Sequence, residues 1–171
     1  MALAGATWAK EPAAKPPVEP APGSLAYLDA KNGFRDVRFG SVPTKDMELA
    51  GVDGEEKIYI RPTDSLEIGG GTCEKILYVF HAGHLRAVSV TTEGWKNNRA
   101  IRESLHAAYG APSVPSEYGG RERWIGNRVV AEYSENRDGG AVTYFRAKSS
   151  ADNTDEDGKD KAKTERGVHG L

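Results

Sequence analysis

Residues 75–92, Lys75-Ile-Leu-Tyr-Val-Phe-His-Ala-Gly-His-Leu-Arg-Ala-Val-Ser-Val-Thr-Thr92, constrain the fold more than any other stretch. They form the longest run of β-favouring residues in the chain, interrupted by Ala82-Gly83. Two such runs around a two-residue turn ending in glycine predict a β-hairpin. Gly83 accepts the positive φ that a primed turn demands. In that register His81 faces His84, Phe80 faces Leu85 and Tyr78 faces Ala87. Ile76, Tyr78, Phe80 and Leu85 then share one face, and Val88 and Val90 fall on the other with Leu77 and Val79. Either both faces are buried, or a bulge near Arg86-Ala87 returns Val88 and Val90 to the Tyr78 side. The bulge is the better solution. Arg86, Ser89, Thr91 and Thr92 are solvent-side types, and a short chain has little material to cover two faces.

That material is limited. Of 171 residues, positions 1–23 divide into a signal-peptide-like remnant and a linker rich in Pro and Ala with polyproline bias. Positions 148–171 are charged and nearly free of apolar residues, the composition of a disordered tail. A single domain over residues 24–147 remains, within the usual size for one core.

Composition excludes several functions. The net charge is −2, and acids are interleaved with bases, so no basic face is available for nucleic acid. One cysteine, Cys73, permits neither an internal disulfide nor a cysteine-rich metal site. No window is long and apolar enough to span a membrane. The small residues Ala4-x-Ala6 and Ala9 match a signal cleavage pattern and point to export into a bacterial periplasm or beyond. Taking Met1 as the true start points to the cytoplasm instead. Ala6 stands where a lipoprotein box requires its cysteine.

Along the chain, Leu25–Asp29 predicts a helical turn and residues 34–40 an extended segment. Ser41–Leu49 predicts a short helix, with Ser41 or Thr44 as its cap and Pro43 in its first turn. Glu56–Arg61 predicts a strand, Asp64–Ile68 a further short one, and Gly69–Thr72 a flexible loop. Trp95–Tyr109 is the best helix: Ile101, Leu105 and Ala108/Tyr109 make one apolar stripe, Asn97 or Asn98 is the candidate cap, and Gly110 and Pro112 stop it. Arg121–Tyr133 predicts a second hairpin around Gly126-Asn127 that pairs Trp124 with Val129, and Ala141–Arg146 a last strand. The expected fold is α+β: six to seven antiparallel strands with one longer and one short helix on one face, and helix-then-strands occurring twice.

No catalytic set emerges. Gly69-Gly-Gly-Thr72 lacks Walker spacing and leads into a strand, so no helix dipole serves a phosphate. His81 and His84 flank a turn with no third ligand nearby in sequence. Cys73 has no helix N-terminus to activate it. The acidic tail positions Asp152, Asp155, Glu156 and Asp157 lack calcium-loop spacing. Trp124 and Tyr78 are core candidates, and Arg86, Trp95 and Tyr118 are the candidate binding residues. No cofactor is implied.

Three features carry a resemblance: Phe34…Phe39-Gly40 before a short helix; Tyr78-x-Phe80…Gly83-x-Leu85…Val88-x-Val90; and Leu105-x-x-x-Tyr109-Gly110-x-Pro112 followed by Trp124. Over residues 33–146 the chain resembles small exported bacterial proteins of unassigned function. More distantly it resembles the helix-plus-antiparallel-sheet module of the outer-membrane assembly lipoprotein BamE and of the β-lactamase inhibitor protein. The resemblance implies a non-enzymatic domain that binds another protein, here of the cell envelope, through a sheet face or its loops. The alternatives are a small hydrolase or metal-dependent enzyme using His81 and His84, and a domain holding a small apolar ligand between helix and sheet.

Overall fold

The computed structural model describes residues 19–116, 120–149 and 152. Its centre is the predicted hairpin: β6 (Gly71–His81) and β7 (His84–Glu93). His81 pairs with His84 and Phe80 with Leu85, and then the register shifts, so that Val79 faces Ala87 and Tyr78 faces Val88. Arg86 is the extra residue, which is the bulge the alternation of apolar residues required. Ala82 and Gly83 both have positive φ, 49° and 81°, as a primed turn needs. A second shift at Glu74 pairs Cys73 with Thr92.

Around the hairpin lie β3 (Glu48–Asp53), β4 (Glu56–Ile60), β8 (Arg121–Ile125), β9 (Val129–Glu135) and β10 (Gly140–Ala147). They form one antiparallel sheet in the order β3-β4-β6-β7-β10-β9-β8, with the two-residue β5 (Glu67–Ile68) also pairing with β6. The sequence placed β7 and β10 far apart, yet they are the central neighbours. On either side of them runs a hairpin meander. A two-strand ribbon, β1 (Gly33–Phe34) with β2 (Val37–Arg38), lies outside this sheet.

Helices α1 (Leu25–Lys31) and α2 (Trp95–Tyr109) pack on one face. Leu28, Ile101 and Leu105 join Phe34, Val37, Met47, Ile76, Tyr78, Phe80, Leu85, Val88, Val90, Trp124, Tyr133 and Phe145 in a single buried cluster. Both predicted core aromatics, Trp124 and Tyr78, are fully buried. No helix of the described residues is long and apolar enough to cross a membrane.

Four expectations are corrected. Ser41–Leu49 is not a helix: residues 44–47 make a turn, with the Met47 N–H on the Thr44 carbonyl, and Glu48–Asp53 pair with β4 instead. Local helix signals lost to edge pairing across Gly54, whose φ is +58°. The short helix of the fold is α1, two residues longer than its predicted turn. Neither Asn97 nor Asn98 caps α2; the cap is Gly94, with no side-chain bond. Asn97 reaches the Glu93 carbonyl and accepts from Thr72 N–H, while buried Asn98 joins Thr92 to the Gly139 carbonyl. Trp124 pairs with Ala131, not Val129. The Asp29 carboxylate on α1 accepts the N–H groups of Asn127, Arg128 and Val129 at 2.7, 2.8 and 3.1 Å and so holds a wider turn. Finally, the glycine-rich loop is a tight turn under α2. A Cβ on Gly69 would lie 2.2 Å from Ser104 Cβ, and one on Gly71 2.9 Å from the Asn97 carbonyl. Close helix approach explains these glycines.

Candidate functional site

Strand register assigns every side chain to the helix-covered face or to the other one. On the other face one row crosses six strands: Ile58, Val79, Ala87, Arg146, Val130 and Ile125. The next row holds Leu77, Ser89, Tyr144, Glu132 and Arg123, and the third Lys75, Thr91, Val142, Ser134 and Arg121. Among the described residues the helical residue Asp152 lies over Arg123 and Arg146, and none of the helices or strands named above lies over the part on β4, β6 and β7.

The face has two sectors. Over β8, β9 and β10 it is ionic. Asp152 comes back from beyond β10 to Arg123 at 3.2 Å and to both terminal nitrogens of Arg146, and the Ser149 N–H and hydroxyl meet the same carboxylate at 2.8 and 2.9 Å. Arg121 pairs with Glu132 at 2.8 Å. The Arg146 guanidinium holds the Asp152 carboxyl well below the usual carboxylate range. Val130 and Ile125 are buried among these arginine stems. Of the predicted tail, Lys148, Ser149 and Asp152 are thus fixed to the sheet, and Lys148 N–H bonds the Arg128 carbonyl at 2.7 Å. The rest of the tail, like residues 1–18, lies outside the described residues.

Over β4, β6 and β7 the face has an apolar centre, with Lys75, Ser89 and Thr91 around it. Ile58, Ile60 and Leu77 are half-buried around buried Val79 and Ala87, with half-buried Tyr144 beside them and Val142 more exposed. Burial and the Glu56 carboxylate raise the Tyr144 phenol above its ordinary value, while Arg146 and Arg86 oppose them. Arg86, the exposed bulge residue next to Ala87, stands at the rim of this patch. Trp95 does not. It is 75% exposed at the start of α2, at the far end of β7 from Arg86, roughly 25–30 Å along the strand. Tyr118 lies outside the described residues.

The charged groups buried on the covered side, Glu122 and Asp64, are engaged in structure. The Glu122 side chain, 4% exposed, takes two bonds from Arg102 at 3.0 and 2.6 Å and one from His106 at 2.9 Å. Arg102, then His106, hold its carboxyl below its ordinary value, which suits it poorly to proton transfer at neutral pH. His106 also stands edge-on to Trp124, whose indole N–H bonds the Gly110 carbonyl at 2.9 Å. At the other end of the sheet, Tyr78 hydroxyl donates to Asp64 at 2.5 Å, Arg35 pairs with Asp64 at 3.0 Å, and Arg61 joins Asp36 and Asp46. Sequence reading singled out none of Asp64, Arg61, Glu122 or Asp29.

The remaining candidates form no shared site among the described residues, although His81 and His84 are cross-strand partners. His84 Nδ1 contacts the Gly40 carbonyl at 2.9 Å, and His81 lies 3.8 Å from Glu55, both at the hairpin tip. Among the described residues no three His, Cys, Asp or Glu side chains group as a metal site. Cys73 is buried with its thiol on the Leu66 carbonyl, and burial raises its pKa, the opposite of activation. Comparison of the chain with protein-family models, with curated proteins and with solved structures gave no match.

Proposed function

We propose that this is a non-enzymatic, exported module that binds another protein of the cell envelope through the uncovered face of its sheet. The observation that carries the reading is the apolar sector Ile58, Ile60, Leu77, Val79 and Tyr144. Ile58, Ile60, Leu77 and Val79 adjoin across β4 and β6, with Tyr144 beyond Ser89; the sector lacks a covering element among the described residues and is bordered by Arg86, Lys75 and the Arg123–Arg146–Asp152 cluster. An apolar centre inside a charged rim is the anatomy of a protein interface. Scattered exposed apolar residues need no such account, but adjoining ones on one flat surface do. The resemblance to sheet-face binding modules and the signal-like residues Ala4-x-Ala6 support the same conclusion.

A photo-crosslinking residue at Leu77 tests it in the intact cell. The expected product is a discrete protein adduct, absent when the same residue replaces Arg99 on the outer side of α2. No adduct at Leu77, or the same adducts at both positions, overturns the reading. Cell fractionation tests export: recovery in the cytoplasm alone contradicts it.

A further inference from the structure

The two edges of the sheet are finished differently. At β8 the outer edge is occupied, since Val114 N–H bonds the Arg123 carbonyl at 3.1 Å and Arg123 N–H bonds the Val114 carbonyl at 3.0 Å. At β3 no described residue takes that place. Its central side chains are apolar and exposed, Leu49 at 56% and Val52 at 62%. A bulge at Ala50 shifts the register, so that Leu49 and Val52 come to one side of the sheet, opposite Tyr59 and Lys57. Glu48 and Asp53 end the strand, and Glu55 and Glu56 follow at the turn, against the amines of Lys45 and Lys57. Asp46 is held by Arg61.

We infer that β3 is a docking edge for an extended segment of a partner protein, one with alternating apolar residues flanked by Lys or Arg at both ends. An unpaired edge offers backbone donors and acceptors to a new strand, and alternate side chains give specificity. The acidic ends define the occupant. A second copy of this chain, paired antiparallel about Ala50-Gly51, sets Glu48 against Asp53 twice, and like charges directly opposite are destabilising. A segment with cationic ends turns both repulsions into attractions, so the edge rejects itself and accepts a basic strand. Glu48 and Asp53 adjoin the uncovered face at Ile60 and Glu56, but the inference rests on the backbone edge of β3 and not on that face.

The test uses the full chain and fluorescent peptides of about ten residues, with one Val/Thr-alternating centre and either Lys-Lys or Glu-Glu at each end. The Lys-flanked peptide is expected to bind and the Glu-flanked one to bind about tenfold more weakly or worse. Binding should fall as salt rises. The exposed double substitution E48K/D53K is expected to invert the preference with an unchanged melting curve. Backbone N-methylation of the Lys-flanked peptide, which needs no protein variant, is expected to abolish binding. Equal binding of both peptides, saturation by neither, an uninverted preference in the folded variant, or indifference to N-methylation overturns the inference. So does a wild-type dimer in sedimentation that L49K/V52K dissociates.

Discussion

The same strands build both faces of the sheet, but the faces end differently. On the covered face α1, α2 and the segment from Phe34 to Met47 bury Tyr78, Phe80, Trp124 and Phe145. The carboxylates buried there are paired, Glu122 with Arg102 and His106 and Asp64 with Arg35. On the uncovered face burial comes from neighbours in the sheet and from arginine stems, and it stops half-way at Ile58, Leu77 and Tyr144. Alternation alone dictates that a strand has two sides. What differs is the second layer, and its absence over β4, β6 and β7 among the described residues is what the functional reading rests on.

Substitutions should separate the two faces by size of effect. Trp124→Ala removes a fully buried indole and its bond to the Gly110 carbonyl. It is expected to cost about 3–5 kcal/mol, measured by chemical denaturation. Glu122→Gln removes the charge that Arg102 and His106 share. Arg102 is 37% exposed and can turn to water, so the expected cost is about 1–2 kcal/mol. Its sign with pH is fixed. The Glu122 pKa is lowered by folding, so its contribution is present above the ordinary carboxylate pKa of about 4.3 and is lost as pH falls through the lowered value. Asp152 acts in the same direction. Stability curves of wild type and Glu122→Gln should therefore converge in acid and stand apart at neutral pH. Smallest in stability, Leu77→Ser or Ile58→Ser should change it by about 0.5–1 kcal/mol and yet weaken partner binding. A large loss of stability at Leu77 would show that the face is covered in the folded protein, which erases the contrast.

Much of this was legible in sequence because it is local. The Ala82-Gly83 turn and the break in alternation fix the bulge at Arg86, and the period of Ile101 and Leu105 fixes α2. Two misses had a local clue. Glu122 lies two residues before Trp124 in a strand, hence on the same inward face, and an inward carboxylate demands a cation. Arg102 and His106, four apart on α2, supply it. The turn held by Asp29, about a hundred residues upstream in the chain, left no local signal. Nor did β3, whose helix-like composition is overruled by its pairing with β4. The pairing of β7 with β10 likewise follows from how two meanders meet, which no single segment encodes.

The most direct test of the central claim is capture from a cell-envelope extract by the immobilised full chain, comparing wild type with I58E/L77E and with R99E on the outer side of α2. The account predicts a discrete protein retained by wild type and by R99E and lost from I58E/L77E, with all three chains giving the same folded spectrum. Retention of that protein by folded I58E/L77E, or loss of nothing but background, would contradict it.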